Sequence, residues 1–369
     1  MIEPLYQGNK DVFLVGVRAD FDAIEDTALK STRALQDWSL LGASGSVNAM
    51  FTKVSNVTST GDRAVWRDVG TTGVQNLGRR TAGGTYPEVQ FLRTWETAVF
   101  DPNNQVAGRF VVPEERDVKE AQQYKEILNR AQKLLYEIDR QNVADLFEIF
   151  NLAFTAVTSY PTAFFAKGNK GLDGNNTALN EVLISIQHAR ADSGSTISNA
   201  VQSSGNAAAF SDPIYYAAKE QGAGFKDDVG KPMPMFGGHT TGIVPPANGL
   251  VRLMREINGS EWKTKVADND INVLQGLLND IKSSPYLLQS YYISGTSNQK
   301  AWFLVDDTVR DPMVGTGLVQ IAFVPLQTRT EREQATDAIV YKVKEEYSYG
   351  WTDWRNIIGS KGDGAAYSS

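Results

Sequence analysis

An uninterrupted helical pattern in the middle of the chain constrains the fold more than any other sequence feature. No glycine or proline occurs from 114 to 160, and Pro113 with Glu114, Glu115 and Asp117 favours a helix start there. An unbroken helix of this length spans about 65–70 Å. Apolar residues recur every three or four positions in two runs, separated by polar residues at 139–142, which places one face against a core. The first run is Val118, Ala121, Tyr124, Leu128, Ala131, Leu135 and Ile138, and the second is Val143, Phe147, Phe150, Phe154 and Val157.

A stripe of this kind is also typical of a coiled-coil dimer. The second half of the helix argues against that interpretation, because it is apolar on more than one face. Its apolar residues are Leu146, Phe147, Ile149, Phe150, Leu152, Ala153 and Phe154. A helix that is apolar on several faces is buried on several faces. We therefore expect a sheet or a whole domain to cover this half.

A glycine-rich stretch from 43 to 97 precedes the helix. Two strand patterns, at 64–69 and 88–95, predict a long β-hairpin, and polar residues between them leave little to bury within one chain. An isolated hairpin is marginally stable, so this one is expected to project and to rest on a partner. Its arginines either solubilise the surface or pair with acidic residues of a neighbouring subunit. The arginines are Arg63, Arg67, Arg79 and Arg80, and the candidate acidic partners are Glu114, Glu115 and Asp117.

The remaining segments alternate between helical and strand patterns, as in an α/β domain. Helices are predicted at 24–41, 177–191 and 248–257, with a partly helical segment at 270–282. Residues 192–238 are expected to form long loops with short helical pieces. Strands are predicted at 98–112, 241–244, 301–306, 318–326 and 339–351, and the glycines from 359 to 364 predict a flexible tail.

Composition excludes several kinds of chemistry. The chain has no cysteine and only two histidines, which rules out disulfides, thiol nucleophiles and cysteine-based metal sites. No phosphate-binding loop or nucleophile elbow occurs, and segment 168–176 lacks the acidic alternation of a calcium loop. His188 and His239 are interpreted as structural. With 36 basic and 43 acidic residues the net charge is −7, so a basic excess typical of nucleic-acid binders is absent. We expect neither a cofactor, nor a membrane span, nor a signal peptide.

Four local segments resemble the major capsid proteins of tailed bacteriophages, whose shell-forming fold was first described for phage HK97. Residues 243–246, Ile-Val-Pro-Pro before a helix, are similar to a strand of this family. So are Glu261-Trp262 with 267–276, residues 284–287 leading to 301–306, and the closing strand at 346–355. The order of elements is similar over nearly the whole chain, whereas residues 192–238 fit less well.

The resemblance implies an α+β, HK97-like capsid fold. It places an N-terminal arm with a short helix at 1–45 and a projecting hairpin, the E-loop, at 46–97. A P domain with the long spine helix would comprise 98–160 and 327–360, and an α/β A domain would comprise 161–326, followed by a tail at 361–369. The family carries no catalytic residues to transfer, so no enzyme activity is expected.

The implied function is structural. Copies of the chain would assemble as hexamers and pentamers into an icosahedral shell that encloses double-stranded DNA without sequence-specific binding. Expected partners are other copies of the chain, a separate scaffolding protein, a portal and, as a further candidate, a decoration protein. The expected location is the virion, after assembly in the host bacterial cytoplasm. Two alternatives stay open: an encapsulin-type nanocompartment shell, and an enzyme or carbohydrate-binding domain suggested by the number of Trp and Tyr residues.

Overall fold

The computed structural model mixes helices and strands, and its chain divides into two compact units. One unit includes 103–145 and 322–347, and the other includes 38–102, 146–321 and 348–369. The predicted arm at 1–45, with its helix at 24–41, lies outside the described residues. The structure describes 52–54, 59–60, 64–74, 91–99, 106–112, 121–155, 171–172, 182–188, 196–226, 232–233, 235–236, 240–259, 272, 274–290, 299–306, 318–333, 338–351 and 354–367.

The long helix α1 runs from Ala121 to Asn151, which at 1.5 Å per residue is about 46 Å. The predicted end at 160 is wrong. After Asn151 the backbone tightens, because Ala153 N–H donates to the carbonyl of Phe150 (3.3 Å) and Thr155 N–H to that of Leu152 (2.8 Å). The Asn151 side-chain amide donates instead to the carbonyl of Tyr286 (2.7 Å). These bonds replace the next helical turn.

The first unit is built from the N-terminal part of α1 and a sheet. Strands β5 (Val106–Val112), β12 (Leu318–Arg332) and β13 (Ile339–Trp351) contribute to it, and β13 lies between the other two. Alternate residues of a strand face opposite sides, so one face of the sheet is apolar and packs on α1. The core residues are Ile127, Ala131, Leu135, Ile138, Ile339, Tyr341 and Val343. The predicted stripe is confirmed here at Leu128, Ala131, Leu135 and Ile138, and the predicted strand 339–351 is confirmed.

Gly108 lets the helix approach the sheet closely. A Cβ atom at this position of β5 would collide with the Leu134 side chain of α1. Nearby, the rings of Phe110 and Tyr341 lie with their centroids 5.4 Å apart. The inner face of β5 therefore alternates a glycine with a large aromatic residue, and both are needed to fit the helix.

The second unit contains a four-stranded sheet. Strand β9 (Thr240–Val244) pairs parallel with β10 (Asp280–Ser283) and antiparallel with β11 (Trp302–Asp306), which pairs antiparallel with β14 (Ile357–Ser360). Every residue of β9, β11 and β14 is buried. The predicted strands at 241–244 and 301–306 are confirmed. Segment 270–282 was expected to be partly helical, whereas its last residues form β10.

Helices cover this sheet. Helix α2 spans Asp212–Ala223 and α3 spans Leu250–Gly259, which confirms the helix predicted at 248–257 with a small shift. The apolar end of α1 packs on the sheet as expected, since the Phe150 and Phe154 rings lie 5.4 Å and 5.7 Å from that of Phe303. Residues 202–203 (β7) and 206–207 (β8) form a two-stranded ribbon before α2.

The helix predicted at 177–191 is wrong over its described part, 182–188. Its backbone groups bond to distant segments: Ile184 N–H donates to the carbonyl of Ala153 (2.8 Å), and His188 N–H donates to that of Ile197 (2.7 Å). The Asn199 side chain accepts from Ser185 N–H (2.9 Å). These tertiary bonds outweigh the local helical pattern.

The prediction of a flexible tail from 359 is also wrong for the described residues. Gly359 and Ser360 end the buried strand β14. The segment after it is held by a hydrogen bond in which Ala207 N–H donates to the carbonyl of Ala365 (2.8 Å). Gly359 allows close packing, because a Cβ atom there would lie 2.7 Å from the Phe303 ring and 3.0 Å from the carbonyl of Trp302.

A third set of strands forms a hairpin within the second unit. Strand β3 (Ala64–Val74) pairs antiparallel with β4 (Phe91–Val99), from Ala64↔Val99 to Val74↔Phe91. Short strands β2 (Ser59–Thr60) and β6 (Gly171–Leu172) flank this pair, and β1 (Thr52–Val54) pairs parallel with 319–321 of β12. The strand patterns predicted at 64–69 and 88–95 fall on β3 and β4. Both strands end later in the sequence than predicted.

Candidate functional site

The outer face of the sheet in the first unit carries a group of cations. Because Gly108, Phe110, Tyr341 and Val343 face α1, the alternate positions point away from it. We call the set formed by the exposed Arg109 of β5, Arg329 of β12, and Lys342 and Lys344 of β13 the basic face. Strands β12 and β13 follow each other in sequence, whereas β5 precedes them by about 200 residues, so only the fold brings Arg109 to the other three cations.

The strand register places two of these cations opposite each other. Arg109 pairs with Lys342, and Lys344 pairs with Ala107. Glu331 offsets part of the charge: its carboxylate lies 2.6 Å from Arg329 Nε and 2.5 Å from Lys342 Nζ. The hydrogen bond from Lys342 lowers the pKa of Glu331, and the charge of Arg329 acts in the same direction. Among the described carboxylates, none forms an ion pair with Arg109 or Lys344.

A shallow groove of about 670 Å³ lies on this face. The basic face lines it together with Ala107, Gln327, Thr328 and Glu331. Val111, exposed to 40%, extends the surface along β5. The groove is partly open, and charged side chains line it together with a larger share of apolar atoms. An extended partner with charged groups fits such a groove better than a small ligand that must be enclosed.

Most of the site residues predicted from sequence lie outside the described residues: Arg63, Arg79, Arg80, Glu114, Glu115 and Asp117. Arg67 is placed in β3, where its Cα pairs with that of Glu96 in β4. Their proposed role in subunit contacts stays a prediction.

Sequence reasoning missed the basic face as a unit. The period-two alternation of 339–351 already placed Lys342 and Lys344 on one side of a strand, and Arg109 lay in a predicted strand. What the sequence lacks is the pairing of β5 with β13 and the position of Arg329 on the neighbouring strand. Pairings between strands over 200 residues apart carry no local signal.

Buried ionisable groups elsewhere serve structural roles. His188 is fully buried and stacks on Trp354, with centroids 4.1 Å apart, while its Nε2 lies 2.9 Å from Asn199 Oδ1. Glu148 accepts hydrogen bonds from Asn151 (2.8 Å) and from the Ser290 hydroxyl. Each of these groups is hydrogen-bonded within the core and none opens onto a groove, which fits the structural interpretation of His188.

Lys219 is partly buried and hydrogen-bonded, and the described acidic residues form no metal-binding group. Burial lowers the pKa of Lys219, against the opposing charge of Asp306, and its Nζ donates to Thr240 Oγ1 (3.0 Å). Within the described part of the chain, no group of three His, Cys, Asp or Glu side chains could hold a metal ion. No helix among these residues has both the length and the apolar composition needed to cross a bilayer.

Comparisons with known proteins give structural similarity alone. No protein-family model matches the chain, and no curated protein matches it. In structure it is similar to the capsid of cyanophage P-SCSP1u, with 12% identity, 86% of this chain and 88% of that chain covered, and a TM-score of 0.44. It is also similar to the mature capsid of bacteriophage PhiM1, with 12% identity, 85% of each chain covered and a TM-score of 0.47. A third similar structure is a virus-like particle from Pyrococcus furiosus, with 9% identity, 92% and 98% covered, and a TM-score of 0.38.

Proposed function

We propose that this chain is the major capsid protein of an HK97-like shell. Its copies assemble as hexamers and pentamers into an icosahedral shell around double-stranded DNA, and the assembled chain is a virion component. One observation carries the proposal: a long helix lies on a sheet whose strands come from both sides of an intervening α/β segment. In chain order the elements are hairpin β3–β4, strand β5, helix α1, the β9-centred sheet, and returning strands β12 and β13.

This order agrees with the arrangement expected from the sequence resemblance. In this proposal the hairpin is the E-loop at 46–97, α1 is the spine of the P domain at 98–160 and 327–360, and strands β9, β10 and β11 belong to the A domain at 161–326. Strand β14 joins the sheet of those three strands although its residues fall in the range given to the P domain. The same proposal includes an N-terminal arm at 1–45 and assembly in a host bacterial cytoplasm. It also includes three partner proteins: a separate scaffolding protein, a portal and a decoration protein.

Two alternatives are weighed against it. An encapsulin-type shell shares the assembly and differs in its contents, so isolated particles that hold protein instead of DNA would favour it. An enzyme or carbohydrate-binding domain was suggested only by the number of Trp and Tyr residues. The described Trp side chains do not favour a sugar-binding platform, because Trp302, Trp351 and Trp354 are 0%, 1% and 1% exposed.

Reversal of two hairpin arginines tests the subunit contacts that the proposal includes. Replacing Arg79 and Arg80 by Glu should reduce particle yield while leaving the soluble, folded yield unchanged. An exposed ion pair contributes only about 0–1 kcal/mol, yet a closed shell repeats each contact in every subunit. The readouts are soluble yield, circular dichroism and particle yield by sedimentation.

The matched control is Arg130→Glu with Arg252→Glu. Both arginines are exposed, and each pairs with a carboxylate one helical turn away, at 2.6 Å. The control changes the net charge by the same amount. Normal particles from the Arg79→Glu, Arg80→Glu protein would show that these arginines only solvate the surface.

A further inference from the structure

The basic face is unusual for this chain because the whole molecule is acidic. The net charge is −7, yet the outer side of β5, β12 and β13 gathers four cations. Glu331 bonds to two of them, and the exposed Glu333 lies just past the end of β12. Arg109 and Lys344 form no ion pair with any described carboxylate. An uncompensated positive field on an acidic protein attracts anions to one place.

The pairing of Arg109 with Lys342 adds an independent argument. Like charges directly opposite each other on antiparallel strands destabilise the sheet, by roughly 0.2–1 kcal/mol in typical pairs. Glu331 offsets only the charge of Lys342 in this pair, since Arg109 forms no ion pair with a described carboxylate. A local conflict of this kind marks a candidate functional position. An anion bound between the two strands would convert the repulsion into attraction.

The spacing of the cations indicates the form of that anion. Lys342 and Lys344 are two residues apart on one strand, about 6.8 Å, and opposite residues of paired strands lie about 5 Å apart. Arg329 extends the row across to β12. Charges spread at such intervals over an open sheet fit a chain of repeated anions rather than one compact ligand. Arg and Lys are both established phosphate ligands.

The composition of the face favours duplex backbone over single strands. Single-stranded nucleic acid is held by aromatic side chains on which bases stack. The described side chains of this face include no aromatic residue; beside its cations they include Ala107, Val111, Gln327, Thr328, Glu331 and Val340. Contact with phosphates alone carries no sequence preference.

We propose that the basic face binds the phosphate backbone of double-stranded DNA without sequence preference, and that Arg109 and Lys344 are its principal contacts. This deepens the proposed function, since it assigns to one sheet face the contact between a shell subunit and the enclosed DNA. Contact by a single subunit is weak, in the range of non-specific binding at about 10⁻⁴–10⁻⁶ M. Repetition over many subunits makes it effective.

Fluorescence anisotropy of two unrelated duplexes, titrated with the full-length unassembled subunit at several salt concentrations, tests the proposal. Replacing Arg109 and Lys344 by Gln should weaken binding to both duplexes equally. The slope of log K against log salt should fall by about 1 per lost phosphate contact. Replacing both by Glu should weaken binding further. Both side chains are exposed, and circular dichroism confirms folding.

The matched control for the Glu variant is again Arg130→Glu with Arg252→Glu, which should bind like the wild type. Equal affinity and equal salt slope in the Arg109, Lys344 variant and in this control would overturn the proposal. A wild type that binds neither duplex would also overturn it. If, in addition, the variant lost self-association, the basic face would be a contact with an acidic segment of a second copy instead.

Particle yield, measured on the same proteins, separates this inference from the proposed function. If the wild type forms shells while the variant binds DNA normally, the inference fails and the proposed function stands. If the wild type forms no shell while DNA binding depends on Arg109 and Lys344, the basic face stands and the proposed function fails.

Discussion

At the scale of single residues, Phe150 shows how the helical stripe stabilises the second unit. Its side chain is 0% exposed and its ring contacts Phe303 of the buried strand β11. Phe147, one turn earlier, is 2% exposed. By contrast Glu126 and Lys133 lie off the stripe and are exposed, as the sequence predicted, whereas Lys119 lies outside the described residues.

Truncation of Phe150 to Ala should therefore lower the stability of the unassembled subunit. The expected loss is about 3–5 kcal/mol, because the change removes buried surface and leaves a cavity. Lys133→Ala, on the exposed side of the same helix, should melt like the wild type. Thermal unfolding followed by circular dichroism measures both. A Lys133→Ala protein that melts far below Phe150→Ala would mean that the buried face has been assigned incorrectly.

Asn199 shows what sequence reasoning could not find at this scale. It lies in a Ser-, Gly- and Asn-rich stretch, yet it is 0% exposed. Its amide nitrogen lies 2.8 Å, 3.2 Å and 3.0 Å from the carbonyls of Leu183, Trp354 and Ile357. Those partners are up to 158 positions away in sequence, so no local pattern marks this Asn as different from its exposed neighbours.

At the scale of elements, the sequence predicted those with a clear pattern of apolar residues. The sequence of strand β13 alternates every second residue, and it was predicted with the bounds that the structure has, Ile339–Trp351. Helix α3 was found from its helical period, and β9 and β11 were found as short apolar runs, all of whose residues are buried. Errors occur where tertiary hydrogen bonds decide the backbone, as at 182–188, or where glycine was interpreted as flexibility, as at Gly359.

Strand β14 gives a direct test of that second error. Gly359→Ala should cost about 1–3 kcal/mol, because its Cβ would press on Phe303 and on the carbonyl of Trp302. Gly259 ends α3 with no atom near its Cβ position, so Gly259→Ala is the matched control and should be tolerated. Denaturant unfolding compares the two. Equal midpoints would contradict the packing of β14 and support a mobile tail.

The hairpin from about 58 to 96 leads to a different prediction. Its glycines and few apolar anchors indicate that a neighbouring subunit stabilises it. Amide hydrogen exchange should be fast there in the unassembled protein and slow in assembled shells, while β9 and β11 stay protected in both states. Equal protection of β3 and β4 in the two states would show that the hairpin is stable within its own chain.

At the scale of the whole molecule, the net charge and the charge of one sheet face have opposite signs. The acidic net charge disfavours a dedicated nucleic-acid binder, yet one sheet face is basic. Composition predicted the first fact, whereas the second depends on the pairing of strands β5 and β13. The order of the main elements could be predicted where each has a clear apolar pattern, but their pairing into sheets could not.

The central claim is that copies of this chain close into a shell, and the mass of the purified protein tests it most directly. Sedimentation velocity, with negative-stain imaging of the same sample, should show closed particles of uniform diameter in the megadalton range. The 40.5 kDa chain should contribute nearly all of their protein mass. A single species at the mass of the subunit, or of a small oligomer, across all concentrations and salt conditions would contradict the account.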